Sequence, residues 1–277
     1  MYLNKNISVL GALSPGYTSF GRRFSNMATT ISIGLQKGGV GKTTTVLCLA
    51  SCLGTLGKKV LIVDLDSQAN STEGSGVEPS NTIYDVFAET CPIKESITQL
   101  NLYDLVSADE RLAILEQMES SEIDPNLLKD NLAILKKDYD FIIIDTPPAL
   151  GNLLQLSLVA SDYVIVPCEP RPFALNRIDS FYETIKATNK KLKVLGLLLV
   201  KYNDRATLNK QIRIALETKA RLMNTQTFKT YIRDGIAVGE SQTVQQPLIE
   251  YAPKSKPSVD YMDFTEEVLQ RLEGKKK

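Results

Sequence analysis

Apolar, β-branched segments alternate along this chain with segments that show a helical repeat of apolar residues. Seven segments are predicted as strands: 31–35, 60–65, 102–107, 141–145, 163–167, 192–200 and 228–232. Several are apolar almost throughout, which is typical of parallel strands covered by helices on both faces. Helices are predicted over 43–56, 126–137, 151–160, 175–188, 207–223 and 259–272. The alternation predicts an α/β fold with a single doubly wound, mainly parallel sheet flanked by helices, in which ligands bind at the carboxyl ends of the strands.

A loop rich in glycine and lysine joins the first predicted strand to the first predicted helix. It reads Gln-Lys-Gly-Gly-Val-Gly-Lys-Thr-Thr over residues 36–44. Glycines let backbone N–H groups turn inward around phosphate oxygens, and the following helix directs its positive N-terminus at the same anion. In such a loop Lys42 is expected to reach the β- and γ-phosphates of a nucleotide, and the Thr43 hydroxyl to bind Mg²⁺. The predicted nucleotide-binding residues of the loop are Lys37, Gly38, Gly39, Val40, Gly41, Lys42, Thr43 and Thr44.

Carboxylates end two further predicted strands. Asp64 and Asp66 follow an apolar stretch, and their i, i+2 spacing places both on one side of an extended chain. Asp145 follows four apolar residues, which is the pattern of a Walker B strand. A carboxylate beside a phosphate loop can hold Mg²⁺ or orient the attacking water, so Asp66 is predicted to position the water and Asp64 to support it. The predicted metal-binding residues are Thr43, Asp66 and Asp145.

The loop departs from the usual phosphate-loop spacing, because Gln36 occupies the position of the first glycine and a second lysine, Lys37, follows it. The string Lys-Gly-Gly-Val-Gly-Lys-Thr-Thr resembles the deviant Walker A loop of the ParA/MinD/NifH superfamily of P-loop ATPases. Similarity to the ParA/Soj-type partition ATPases covers residues 30–272. MinD and NifH fit less well, because the last helical segment carries acids and no cysteine pair follows the strand that ends at Asp145.

The resemblance implies a slow ATPase that uses ATP and Mg²⁺ and forms a homodimer in the ATP state. In this family the extra lysine, here Lys37, crosses the dimer interface to the partner's nucleotide phosphates. By family position, Asn203 and Pro247 are expected to contact the adenine. A ParB-like protein is expected to stimulate hydrolysis. The catalytic residues would be Asp66, Lys37 and Lys42.

Positive charge is concentrated in the segment 186–233. It holds 12 lysines and arginines and 2 acids, a net charge of +10, whereas the whole chain is formally neutral. Such a segment is typical of a surface that faces an anionic polymer. The resemblance implies non-specific DNA binding in the ATP state, but two positions where the family commonly has arginine hold Asp234 and Ala237. The candidate DNA-binding residues are Lys210, Arg213, Lys219, Arg221, Lys229 and Arg233.

The first part of the chain differs from the rest, since residues 1–26 carry no acid and show no strand–helix pattern. We predict that 1–26 form a disordered extension or precede a start at Met27, and that 27–277 form the ATPase domain. No apolar run approaches the ~18 residues of a membrane-spanning helix, so no membrane partner is expected. The family resemblance implies a cytoplasmic, nucleoid-associated protein.

The main hypothesis is therefore a Mg-ATP-dependent dimerising switch for partitioning chromosomal or plasmid DNA. The Asp234 and Ala237 departures favour an alternative, a positioner of non-DNA cargo or a transcriptional or replication regulator with weakened DNA binding. A second alternative is a ligase or kinase that uses the same loop on a small molecule. A third is a scaffold that binds nucleotide without hydrolysing it.

Overall fold

Seven strands form one sheet in the computed structural model, which describes residues 27–171, 174–203 and 205–274. Their order across the sheet is β3-β4-β2-β5-β1-β6-β7, and every pairing is parallel except that of β3 with β4. The predicted doubly wound, mainly parallel sheet is thereby confirmed. The strands are β1 (Thr29–Ile33), β2 (Val60–Asp64), β3 (Ile97–Gln99), β4 (Asp104–Val106), β5 (Phe141–Asp145), β6 (Tyr163–Cys168) and β7 (Lys193–Leu199).

Helices connect the strands, and each of the six predicted helices is present with its ends shifted by a few residues. Two short 3₁₀ turns, Ile93–Ser96 and Ser120–Glu122, lie between them. The α-helices in the described part of the chain are α1 (Lys42–Thr55), α2 (Asn70–Gly74), α3 (Ile83–Phe87), α4 (Leu112–Gln117), α5 (Leu127–Ala133), α6 (Asn152–Ala160), α7 (Ala174–Thr188), α8 (Thr207–Leu222), α9 (Ile236–Thr243), α10 (Leu248–Tyr251) and α11 (Lys256–Gly274).

Both faces of the sheet are buried at its centre, because alternate residues of β2 and β5 enter different apolar cores. Ile143 of β5 lies in a core that α1 and α11 cover, with Leu49 and Phe264 among its members. Ile144, the next residue, lies on the other face, where Leu153 of α6 packs. Burial on both faces explains why these strands are apolar almost throughout.

The strand register brings three strand ends to one edge of the sheet. Ile33 of β1 is paired with Asp145 of β5, and Asp145 is paired with Asp64 of β2. β1 lies in the sheet with β2 to β5 on one side of it and β6 and β7 on the other. The loop that follows β1 therefore lies where the order of the strands reverses. Such a switch point is where doubly wound folds bind their ligands.

The predicted strand over 228–232 is wrong. The segment runs beside β7 and its end residues donate backbone hydrogen bonds of 2.8 Å to it, from Phe228 N to Leu197 O and from Ile232 N to Leu199 O. A continuous ladder does not form because the N–H groups of Lys229 and Thr230 donate to the Glu267 carboxylate instead.

The edge strand β3 was not predicted. Its sequence, Ile-Thr-Gln, is short and half polar, and its residues are partly or fully exposed. It therefore lacks the apolar run by which the buried strands are recognised.

Two expectations concern the ends and the surface of the chain. The predicted extension, residues 1–26, lies outside the described residues. None of the described helices combines the length and the apolar character that crossing a membrane requires.

Candidate nucleotide-binding site

The loop between β1 and α1 is open on its inner side. Gly39 and Gly41 adopt left-handed backbone conformations, with φ of 73° and 79°. A Cβ atom on Gly38 or Gly39 would meet no heavy atom within 4 Å, so the backbone faces free space there. No acid lies in the first turn of α1, which leaves the positive helix end uncompensated at the loop.

The lysine at the start of α1 lies beneath this loop. Lys42 is only 7% exposed, and its Nζ donates a hydrogen bond of 3.0 Å to the backbone oxygen of Lys37. Burial lowers the pKa of Lys42 from its ordinary value, while the charges of Asp145 and Asp66 act in the opposite direction. The lysine is thus held inside the loop, close to two carboxylates, where an anionic ligand would satisfy it.

The two carboxylates after β2 have different surroundings. Asp64 is fully buried and accepts hydrogen bonds from the backbone N–H of Asp66 and from the N–H and hydroxyl of Thr72. Asp66 borders the cavity described below, and its Oδ1 accepts a local hydrogen bond of 3.0 Å from the N–H of Gln68. Asp64 therefore fixes the turn, and Asp66 faces the space in front of it.

Asp145 lies between the loop and the β2 carboxylates. Its Oδ2 accepts a hydrogen bond of 2.7 Å from Ser71, while its Oδ1 is buried and has no hydrogen-bond partner among the described residues. Burial raises the pKa of Asp145 and of Asp64, and the charge of a neighbouring carboxylate raises each further. Thr43 lies close enough to Asp145 to lower its pKa.

A cavity of about 870 Å³ opens over these groups. Its size falls within the ~300–1,000 Å³ typical of small-molecule sites. Helix α9 forms its outer wall, where Gln242 donates a hydrogen bond of 3.1 Å to the Thr44 hydroxyl. The lining includes six loop residues and part of the β2–α2 segment: Gly38, Gly39, Gly41, Lys42, Thr43, Thr44, Asp66, Gln68 and Asn70.

Four predicted nucleotide-binding residues do not line this cavity, and one of them, Lys37, is described below. Val40 has its side chain in the core, 1% exposed, so only its backbone can face a ligand. Pro247 borders a separate small cavity of about 20 Å³ behind Thr44. Asn203 caps its own turn, since its Oδ1 accepts a hydrogen bond from the Arg205 N–H.

Lys37, the extra lysine of the loop, points to an acid that the sequence analysis did not single out. Its Nζ lies 3.4 Å from Oε2 of Glu169, which follows β6 and is buried. Arg171 and Lys201 also contact Glu169, each at 2.7 Å. Although burial opposes ionisation, these three cations, Lys201 first, lower the pKa of Glu169.

A signal for this cluster was present in the sequence. Glu169 follows an apolar strand as Asp145 does, and Lys201 follows β7. Lys201 also donates a hydrogen bond of 2.8 Å to the backbone oxygen of Gly39, and it lines the cavity. One cation of the basic segment 186–233 therefore belongs to the phosphate loop.

Comparison with known proteins identifies the family. The family model of an AAA domain, AAA_31, matches residues 28–195. The sporulation initiation inhibitor protein Soj of Bacillus subtilis is 34% identical over 256 residues, which are 87% of this chain and 98% of Soj. The chain belongs to the ParA/MinD superfamily of P-loop ATPases.

Two further members of the superfamily extend the comparison. The chromosome partitioning protein ParA of Myxococcus xanthus is 32% identical over 94% of this chain and 95% of its own. The septum site-determining protein MinD of Pyrococcus horikoshii, solved in complex with Mg-ADP, superposes with a TM-score of 0.72 at 29% identity, over 87% of this chain and 96% of its own. The resemblance noted in the sequence is confirmed.

The candidate DNA-binding residues of this ParA-type chain fall into two groups. Arg213, Lys219 and Arg233 form ion pairs with Glu217, Asp179 and Asp260. Lys210, Arg221 and Lys229 are exposed and form no ion pair within the described residues. The structure thus leaves three of the six cations without an acid partner of this kind.

Proposed function

We propose that the protein is a Mg-ATP-dependent ATPase switch that partitions DNA. The single observation that carries the proposal is the open loop at 36–44, with Lys42 buried beneath it and three carboxylates at the adjacent strand ends. A triphosphate would place its anionic oxygens against Lys42 and the loop N–H groups, and a bound Mg²⁺ would face the carboxylates. The Mg-ADP complex of the related MinD supports this choice of ligand.

Each loop residue has a role in this proposal. Lys42 binds the β- and γ-phosphates, and the backbone N–H groups of 38–44 surround them. Helix α9 forms the cavity wall beside Thr44. We expect the base of the nucleotide to lie against this wall.

The residues present fit a magnesium ion. Thr43 supplies a hydroxyl, and Asp145 supplies a buried carboxylate oxygen that has no hydrogen-bond partner in the described part of the chain. The described residues contain no cluster of three or more acidic, cysteine or histidine side chains that would hold a metal by themselves. Mg²⁺ typically binds through one or two protein ligands together with phosphate oxygens, and it would neutralise the charge that develops on them. Asp66 orients the attacking water.

The position of Lys37 supports the proposed dimerisation. It lies at the rim of the loop and is partly exposed, so it can reach a second subunit. Two nucleotides facing each other concentrate negative charge, which a lysine from each subunit neutralises. Loss of the γ-phosphate weakens that attraction and releases the dimer.

The cargo in this proposal is DNA, because the relatives include the chromosome partitioning protein ParA of Myxococcus xanthus. The ATP dimer binds DNA without sequence preference in the cytoplasm, and a ParB-like partner stimulates slow hydrolysis. We propose that residues 27–277 form the ATPase domain that carries out this cycle.

A second candidate is a positioner of non-DNA cargo. It is favoured by the ion pairs that hold Arg213, Lys219 and Arg233, and by Asp234 and Ala237 at two expected arginine positions. In that case ATP still closes the dimer, but the dimer does not retain DNA.

One experiment tests both candidates. Purified protein is sized by light scattering with ATP, ADP or no nucleotide, and its retention on DNA is measured under the same conditions. A dimer and salt-sensitive DNA retention with ATP alone support partitioning. A dimer without DNA retention favours the non-DNA cargo, and no uptake of labelled ATP with Mg²⁺ contradicts the site.

A further inference from the structure

Glu169 is a buried carboxylate surrounded by three cations from three parts of the chain. Its side chain is 7% exposed, whereas those of Lys37, Arg171 and Lys201 are 30%, 70% and 50% exposed. The cluster carries a net charge of +2, and it lies against the phosphate loop through Lys201. One cation would suffice to balance the charge of this buried acid, so charge balance alone does not account for the cluster.

The three contacts are unequal. Arg171 and Lys37 share Oε2 of Glu169, but Arg171 lies at 2.7 Å and Lys37 at 3.4 Å. Lys201 takes the other oxygen at 2.7 Å. Breaking a buried ion pair is usually costly because it leaves a buried charge without a partner. If Lys37 leaves, Glu169 keeps two close partners, so this cost does not arise.

The loop also remains tethered when Lys37 leaves. Lys201 donates to the Gly39 backbone oxygen as well as to Glu169, so it links the loop to the end of β6. Lys201 and Glu169 can therefore hold the loop in place while the Lys37 side chain moves. The two lysines differ in this respect. Lys201 donates to a backbone oxygen of the loop, whereas the contact of Lys37 with Glu169 joins two side chains.

We propose that Glu169 is a positioning residue that holds Lys37 within its own subunit, and that Arg171 keeps this hold weak enough for Lys37 to be released. The destination of Lys37 rests on the proposed function, in which it binds the partner's nucleotide. Dimerisation then requires transfer of Lys37 from Glu169 to phosphate oxygens. Glu169 and Arg171 set the free-energy difference between these two states.

Two substitutions test this with opposite signs. Glu169→Gln keeps the shape of the side chain but removes its charge, so Lys37 is released more readily. Arg171→Ala removes the closer competitor for Oε2, so Glu169 holds Lys37 more firmly. Lys129→Ala, which removes one positive charge from an exposed position on α5, is the control.

The first measurement needs no nucleotide and no dimer. The acylation rate of the Lys37 amine is followed by mass spectrometry in the full-length protein, because an amine engaged with a carboxylate is less available to the reagent. The rate should rise about two- to fivefold in Glu169→Gln and fall in Arg171→Ala, as expected for a partly exposed ion pair. It should not change in Lys129→Ala.

The second measurement is the ATP concentration at half-maximal dimerisation, with ATP binding to the monomer measured in parallel. The midpoint should fall about two- to fivefold in Glu169→Gln and rise in Arg171→Ala. Equal acylation of Lys37 in all variants would overturn the proposal. The proposal would also be overturned if a change in ATP binding by the Glu169→Gln monomer accounted for the whole shift of its midpoint.

The two proposals fail in different ways. If the wild-type protein never dimerises with ATP, the proposed function is wrong, and the acylation rates still decide whether Glu169 holds Lys37. If Glu169→Gln does not fold, the acylation rate in Arg171→Ala decides whether Glu169 holds Lys37. The Arg171 side chain is largely exposed, so we expect this variant to fold. An acylation rate in that variant equal to or above the wild-type rate would then refute the role of Glu169.

Discussion

At the scale of single residues, the site depends on Lys42, a buried cation with no ion-paired carboxylate among the described residues. Its Nζ meets the backbone oxygen of Lys37 and senses Asp145 and Asp66 through their charge. An anion in the loop would give this cation a partner of opposite charge in direct contact.

Lys42→Ala should weaken ATP binding about 10- to 100-fold, since hydrogen bonds to charged groups contribute about 1.5–3 kcal/mol. Titration with fluorescent ATP and Mg²⁺ measures this. Lys37→Ala is the matched control, because it should bind ATP normally and lose only the dimer. Wild-type affinity in Lys42→Ala would contradict the site assignment.

Asp66→Ala should bind ATP but hydrolyse it about 10²-fold more slowly or worse, because a water-positioning group is lost. Turnover is measured by phosphate release, and the dimer should persist in ATP. Unchanged turnover would remove Asp66 from the mechanism.

Asp64→Ala should behave differently, because Asp64 is buried and accepts three hydrogen bonds in the turn. Leaving those donors unsatisfied should cost about 1–3 kcal/mol of unfolding free energy. Thermal unfolding of the two alanine variants separates structural support from catalysis, and equal stability would refute that separation.

The residues of the phosphate loop could be predicted from the sequence because their order along the chain is itself the signal. Asp66 and Asp145 could be predicted because each follows an apolar strand. The ion pairs of Glu169 with Lys37 and Lys201 could not, since these two lysines come from distant chain segments that meet Glu169 only in the folded sheet.

At the scale of elements, helix α1 is fixed by a close approach to the backbone before β4. A Cβ on Gly54 would lie 1.9 Å from the backbone oxygen of Leu102 and 2.7 Å from its carbonyl carbon. Backbone atoms cannot turn aside as a side chain can, so α1 or the strand must shift.

Gly54→Ala should therefore lower the free energy of unfolding by about 2–4 kcal/mol, as overpacking against rigid atoms does. Urea unfolding measures the change. Gly239→Ala in α9 is the control, because a Cβ there meets nothing within 4 Å and alanine favours a helix. Equal stability of the two variants would contradict the close packing.

Element prediction succeeded where burial made the pattern strong and failed where polar contacts decide the structure. The segment 228–232 is apolar at both ends, yet Glu267 captures two of its N–H groups and no strand forms. The short helices α2, α3 and α9 contain too few turns to show a periodicity.

At the scale of the whole molecule, acids within the described residues hold four of the twelve cations of the segment 186–233 in ion pairs. Its cations include Lys201 at the phosphate loop and three residues held by acids. The surface available to DNA is accordingly smaller than the net charge of the segment indicates.

ATP-dependent DNA retention should fall steeply with salt, because phosphate contacts release counterions. Lys210→Ala and Arg221→Ala should each reduce the slope of log affinity against log salt by about 1. Lys219→Ala on the same helix should change it less, since Asp179 already pairs with Lys219. Equal slopes in all three would exclude α8 from the DNA surface.

The fold class was predicted correctly from the alternation of strands and helices, but the order of the strands was not, since no local pattern encodes which strands become neighbours. β1 pairs with β5 and β6, which begin at Phe141 and Tyr163. A ribosome synthesises the phosphate loop early, yet its flanking strands emerge much later. A nascent chain therefore exposes the loop before β5 supplies Asp145, so the complete site can form only after synthesis has passed β6.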